Sequence, residues 1–207
     1  MKNKFMKPIL FVALALGLTS CVEDDDFAIP PINAAFFSED FDTAVDNTTF
    51  DFEGWTNYAE VGTELWTEEM FSGDGTAQFN TYNNGEAENI SWLISPQIPV
   101  AQYSNIKMSF TSAQNFVSNP EDNRVELYVS SDFDGTNFAE ATWTQFEAKF
   151  ATPDDGGYEM VRSGEVDLSS FVGQSHISIG FKAIGSGTNT ALDGLYQIND
   201  LNVYTSK

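Results

Sequence analysis

The sequence predicts an all-β protein: a jelly-roll-like β-sandwich of two antiparallel sheets, folded as a single domain behind a leader and a short tether. Three observations predict it. From Phe36 onward apolar and polar residues alternate with a period of two, the mark of strands that bury one face. Clusters of Gly, Asp and Asn interrupt the alternation at short intervals and supply the backbone conformations that tight turns need. No stretch of a dozen residues keeps a helical period. Roughly nine to eleven such strands without a linker suit two sheets closed over one core, and no internal repeat divides them.

In chain order, residues 35–41 open the domain, and 76–82 and 90–98 follow as strand candidates. Ile106, Met108 and Phe110 alternate with Lys107 and Ser109; Val125, Leu127 and Val129 alternate with Glu126 and Tyr128. Residues 142–149 and 158–167 come next. Ile177, Ile179 and Phe181 then alternate with Ser178, Gly180 and Lys182, and 195–204 close the domain. Gly73-Asp74-Gly75, Asn83-Asn84-Gly85, Asp134-Gly135, Asp154-Asp155-Gly156-Gly157 and Asp193-Gly194 are the predicted turns.

The segment before the sandwich reads as an address. Residues 1–20 carry Lys2, Lys4 and Lys7, then an apolar run from Pro8 to Leu18 that is too short for the ~20 residues of a membrane span and has the shape of an export signal. Leu18-Thr19-Ser20-Cys21 resembles the lipobox of bacterial lipoproteins, in which Cys21 is acylated and becomes the first mature residue. The acidic run Glu23-Asp24-Asp25-Asp26 behind it resembles the signal that places Bacteroidota lipoproteins on the outer face of the outer membrane. Residues 21–35 form a tether, extended by Pro30 and Pro31, and 36–207 form the sandwich.

Charge and composition exclude more than they select. The chain has 9 basic and 31 acidic residues, a net −22, and cleavage after Ser20 leaves about −25. Nucleic-acid binding needs clustered cations to release phosphate counterions, and there are almost none to cluster. With 42% hydrophobic residues the chain is too apolar to stay disordered. One Cys and one His exclude a disulfide framework, a thiolate or imidazole zinc site and a Cys–His nucleophile. A metal would be held by oxygen, and calcium suits that ligand chemistry.

Five blocks resemble the choice-of-anchor J domains of Bacteroidota surface proteins, relatives of the cleaved-adhesin and MAM-type jelly rolls. They are FFSEDFD (36–42) with Gly54-Trp55, SWLISPQI (91–98), RVELYVSSDFDGTNFAEATWTQF (124–146), VDLSSFVGQSHISIGFKA (166–183) and LYQINDLNVY (195–204). The resemblance implies adjacent terminal strands, frequent calcium binding, and adhesion or glycan binding in place of catalysis. It implies Glu39, Asp42, Asn199 and Asp200 as calcium ligands, with Glu39 and Asp200 foremost. Asp132-Phe133-Asp134-Gly135 lacks the spacing of a full calcium loop and reads as a hairpin turn.

A sugar offers an apolar C–H face and a rim of hydroxyls, so its site needs an exposed ring beside amide or acidic groups. Core or rim packing is the default for all four tryptophans, and Trp66 and Trp143, with polar sequence neighbours, are the two best placed to be exposed. Tyr82, beside Asn80, Asn83 and Asn84, and Tyr158, after a glycine pair, read as loop-tip rings; Phe116 is a third. Trp143, Tyr158, Tyr82 and Trp66 are the candidate platforms. His176 lies within an alternating strand and reads as structural. The function expected is a non-catalytic, surface-exposed lipoprotein that binds a polysaccharide, neutral because so acidic a chain repels anionic ones. The alternatives are an adhesion module with a protein partner and a small glycoside hydrolase, which needs only two carboxylates ~5–9.5 Å apart.

Overall fold

The computed structural model describes residues 34–206. The leader, Cys21 and all of the tether except its last two residues lie outside them. The strands, in order, are β1 (Ala35–Glu39), β2 (Thr48–Thr49), β3 (Thr56–Val61), β4 (Thr67–Phe71), β5 (Asp74–Phe79), β6 (Asn89–Ile94), β7 (Ile98–Pro99), β8 (Ile106–Asn115), β9 (Arg124–Ser130), β10 (Thr144–Phe146), β11 (Val161–Arg162), β12 (Val166–Asp167), β13 (His176–Gly185) and β14 (Leu195–Thr205). Among the described residues the only helical turns are three of the 3-10 type, three residues each.

All pairings are antiparallel. One sheet runs β11-β8-β14-β5-β4-β2, with β12 also on β8 and β1 on β14; the other runs β10-β9-β13-β6-β3, with β7 on β13. The first and last strands are neighbours, Ala35 opposite Tyr204 and Glu39 opposite Leu201. Strand β14 carries a bulge between Asn199 and Asn202, at Asp200, whose φ is +51°. Antiparallel strands need only short connections, which the turn residues provide: Ser72 and Gly73, both at positive φ, close the β4–β5 hairpin where Phe71 faces Asp74. The predicted turn at 73–75 thus sits one residue earlier, and Asp74 and Gly75 already belong to β5.

Between the sheets lies one core. Met108, Phe110, Phe79, Ile198 and Val203 from the first meet Leu93, Leu127, Ile179 and Phe181 from the second, all at or near zero exposure. The rings of Phe110 and Phe181 cross the interface edge to face, centroids 5.0 Å apart. These are the inward positions of the alternating segments, as the period-two pattern requires.

Strands β3 and β4 were not legible as strands because Asn57 and Glu68 hold inward positions in them, and β2 is only two exposed threonines. Asn57 of β3 donates from Nδ2 to the carbonyls of Trp66 (2.9 Å) and Phe50 (3.2 Å) and accepts from Trp66 N–H. Glu68 of β4 is 2% exposed and accepts the N–H groups of Val45 (2.6 Å) and Asp51 (3.1 Å). Both side chains clasp the irregular segment 41–55 by bonding backbone groups that have no strand partner there.

The two outer faces differ in kind. On the six-stranded sheet, Trp92 and Ile94 of β6 pack with Phe133 under Phe138 and Trp143, so segment 131–143 closes that face. Gly180 makes room there, since a Cβ would come within 3.1 Å of both indoles. The outer face of the eight-stranded sheet carries amides, hydroxyls and few apolar groups. It is the open one.

Candidate functional site

At one end of the eight-stranded sheet, β5 and β8 leave and β14 enters, because β14 runs antiparallel between them. Their loops therefore converge. The result is a cleft of about 650 Å³ whose walls are Tyr82 and Asn80 after β5, Phe116 and Ser118 after β8, Thr190 and Asp193 before β14, and Tyr158 from the segment leading into β11; Leu195 lies at its base. Tyr82, Phe116 and Tyr158 are 64%, 74% and 51% exposed. Large rings left this open, in one cleft, form a surface of the kind that can stack on flat apolar faces.

Local hydrogen bonds set each wall. Asn80 Oδ1 accepts Tyr82 N–H at 3.1 Å, and Asn115 Oδ1 accepts Phe116 N–H at 3.0 Å. Tyr158 N–H donates to the Gln114 carbonyl at 2.8 Å, tying its segment to the edge of β8. Ser118 Oγ donates to the Ala191 carbonyl at 3.2 Å and links two loops directly. Gly194 lets those loops touch: a Cβ there would lie 2.6 Å from the Val117 backbone. Phe116 and Tyr158 hold left-handed backbone, φ +61° and +60°. That region costs a bulky side chain strain, and strain kept at an exposed ring points to function.

Of the four expected platforms, the structure brings Tyr82 and Tyr158 together and places the two tryptophans elsewhere. Trp66, one of the two tryptophans best placed to be exposed, is fully buried against Phe79. Its polar sequence neighbours misled because alternate residues of a strand point to opposite faces: Thr67 and Glu69 face out, so Trp66 faces in. Trp143, the other of the two, is half-buried in the satellite cluster, 5.2 Å from the Trp92 ring and 5.5 Å from Phe133. The loop that carries it folds back over the sheet, which sequence periodicity does not report.

Of the expected calcium ligands, Glu39 stands opposite Leu201, the residue after Asp200, across the β1–β14 pairing. Glu39 Oε1 accepts Phe41 N–H at 3.3 Å, Asn199 Oδ1 accepts Asp200 N–H at 2.7 Å, Asp200 Oδ2 accepts the Thr111 hydroxyl at 3.3 Å, and Asp42 is exposed. Among the described residues no group of three or more Asp, Glu, His or Cys side chains is arranged to hold a metal. The 132–135 segment is a turn: Asp134 Oδ1 accepts N–H from Asn137 and Thr136 (2.7 and 2.8 Å), and those bonds hold its carboxyl down at about 2. His176 begins β13, with Nδ1 2.9 Å from Ser175 Oγ and no partner on its buried Nε2 among the described residues.

No family model matches the chain, and no curated protein does. Solved structures do. The K3 cleaved adhesin domain of Lys-gingipain from Porphyromonas gingivalis w83 superposes with a TM-score of 0.50 and 14% identity, covering 83% of this chain and 100% of that one. The K2 cleaved adhesin domain of Lys-gingipain gives 0.51 and 15%, over 82% and 99%. A CBM22-2 xylan-binding domain from Paenibacillus barcinonensis gives 0.46 and 13%, over 82% and 99%. What is shared is the fold. At such identities the two adhesin domains establish the jelly-roll sandwich, and the residues of the cleft must speak for the rest.

Proposed function

We propose that this chain is a lipid-anchored module of the choice-of-anchor J type, held through Cys21 on the outer face of the outer membrane, that binds a neutral polysaccharide without chemistry. The observation that carries the reading is the convergence of Tyr82, Phe116 and Tyr158 on one cleft beside Asn80, Ser118, Thr190 and Asp193. Rings stack on the C–H face of a sugar, and the surrounding amide, hydroxyl and carboxylate groups bond its rim. Such sites hold their ligands at micromolar to millimolar Kd, about −8 to −4 kcal/mol. Many anchored copies on one polymer raise the avidity far above that.

The test is affinity electrophoresis and calorimetry on soluble glucan, mannan and xylan. Tyr158→Ala and Tyr82→Ala should each weaken binding about tenfold, the worth of one stacked ring. Unaltered mobility of the unsubstituted protein on all three polysaccharides overturns the reading. A protein partner at the cell surface is the second reading. It is favoured by Phe71 at the end of β4 and Val45 ahead of β2, 84% and 61% exposed.

A further inference from the structure

The outer face of the eight-stranded sheet is more sheltered than an outer face should be. In β5, Ala77 and Phe79 point into the core, so Thr76 and Gln78 point out; in β14, Ile198 points in, so Leu195, Gln197 and Asn199 point out. Yet Thr76, Gln78, Leu195 and Asn199 are only 5–9% exposed, and Ala113, outward on β8, is fully buried. Neighbouring side chains cover these positions, while Thr67, Thr111, Gln197, Asn202 and Tyr204 on the same face stay half-buried and reach solvent; this low-lying polar strip forms a trough.

Register places the polar groups of that floor in rows. Thr67, Gln78, Gln197 and Ala113 stand side by side on β4, β5, β14 and β8, and Asn199, Thr111 and Arg162 form the next row toward β11. The amides are already oriented. Gln197 Nε2 donates to Gln78 Oε1 at 3.0 Å, and Gln78 Nε2 donates to Glu69 Oε1 at 3.0 Å. Burial, with Asp46 nearby, holds the Glu69 carboxyl above the usual carboxylate range. At one end the trough meets the aromatic cleft through Leu195. At the other it opens into a second hollow of about 390 Å³ lined by Ser109, Thr111, Arg162, Asp200, Asn202 and Tyr204. Arg162 is exposed there and makes no ion pair among the described residues, although the chain is strongly acidic. Arg162 lines the hollow with a guanidinium that carries five N–H donors.

We infer that the trough binds the ligand as an extended chain laid along β14, with its sugars stacked in the aromatic cleft and later units bonded by the amide floor and Arg162. The inference rests on the glycan reading above and deepens it: the target is an internal stretch of a linear polyhydroxylated polymer. From Leu195 to Tyr204, at ~3.3 Å per residue, the track is about 30 Å long and has room for several units. Fixed amides and hydroxyls lose little entropy on binding, which suits hydroxyl recognition over such a length.

The experiment is calorimetry of the full chain with β-1,4-linked gluco-, manno- and xylo-oligosaccharides of two to six units. Affinity should rise at least about tenfold from disaccharide to hexasaccharide, as several added hydrogen bonds require. Gln197→Ala and Arg162→Ala should each weaken the hexasaccharide about fivefold and leave the disaccharide within twofold, whereas Tyr158→Ala should weaken both. Arg162 is exposed, so its removal spares the fold should Gln197→Ala fail to fold. If affinity does not grow with length, or neither variant affects the hexasaccharide while Tyr158→Ala still does, the trough is overturned and the cleft stands. If Tyr158→Ala is silent and the other two weaken the hexasaccharide, the cleft falls and the trough stands. No binding of any oligosaccharide overturns both.

Discussion

Phe116 holds a backbone conformation that its side chain resists, and this permits a prediction of opposite sign to the usual one. At φ +61° a residue with a Cβ pays roughly 1–2 kcal/mol, because the Cβ crowds the following carbonyl. Phe116→Gly removes that cost and gives back about 0.5–1 kcal/mol as backbone entropy of the unfolded chain. Phe116→Ala removes nothing. The ring is 74% exposed, so its loss costs both variants alike, about 0.5 kcal/mol of apolar burial. The glycine variant should therefore be the more stable of the two by about 0.5–1 kcal/mol, where glycine at an ordinary position would be less stable by a similar amount. For a domain of this size that is a Tm difference of about 1–4 °C. Thermal melting and urea unfolding of the two variants side by side measure it. An alanine variant as stable as the glycine variant, or more so, would refute the reasoning: position 116 would then not be left-handed in solution. Both variants should bind polysaccharide more weakly than the parent, because each has lost the ring.

Three further outcomes follow from particular contacts. Gly194→Ala sets a Cβ 2.6 Å from the Val117 backbone and must push two walls of the cleft apart; it should cost about 1–3 kcal/mol and reduce polysaccharide binding, read by melting and calorimetry. Glu68→Ala removes the buried acceptor that the N–H groups of Val45 and Asp51 share and should destabilise by about 1.5–3 kcal/mol in urea unfolding, with Glu68→Gln losing roughly half as much. Asp134 and Asp167 are both held at about 2 in the fold, the first by N–H of Asn137 and Thr136, the second by the hydroxyl and N–H of Ser169 and by Lys107. A carboxyl depressed in the folded state stabilises it above the unfolded value near 4, and that contribution is lost as pH falls from about 4 to 2. Melting temperature should drop across that window, and less steeply in Asp134→Asn and Asp167→Asn.

The architecture was readable from residue order wherever inward positions are apolar. β8, β9, β13 and β14 alternate cleanly because one face meets the core and the other meets water or polar neighbours. β3 and β4 were not, because Asn57 and Glu68 occupy inward positions to satisfy loop backbone. Tyr82, Phe116 and Tyr158 could be picked as loop-tip rings from their Asn and Gly neighbours. Nothing in their order along the chain says that they share a cleft, since they lie far apart in sequence.

What the sequence determined by itself is local: the period of the strands, the places of the turns, the acidic charge, and the chemistries that a single Cys and a single His exclude. The tertiary structure alone decided which rings open to solvent. Trp66 goes under and Trp143 is roofed in, while three loop rings meet at one end of the eight-stranded sheet. The physical reason is that exposure depends on what packs against a side chain from the opposite sheet and from returning loops. Those contacts join residues distant in sequence, and the alternation of neighbours carries no record of them.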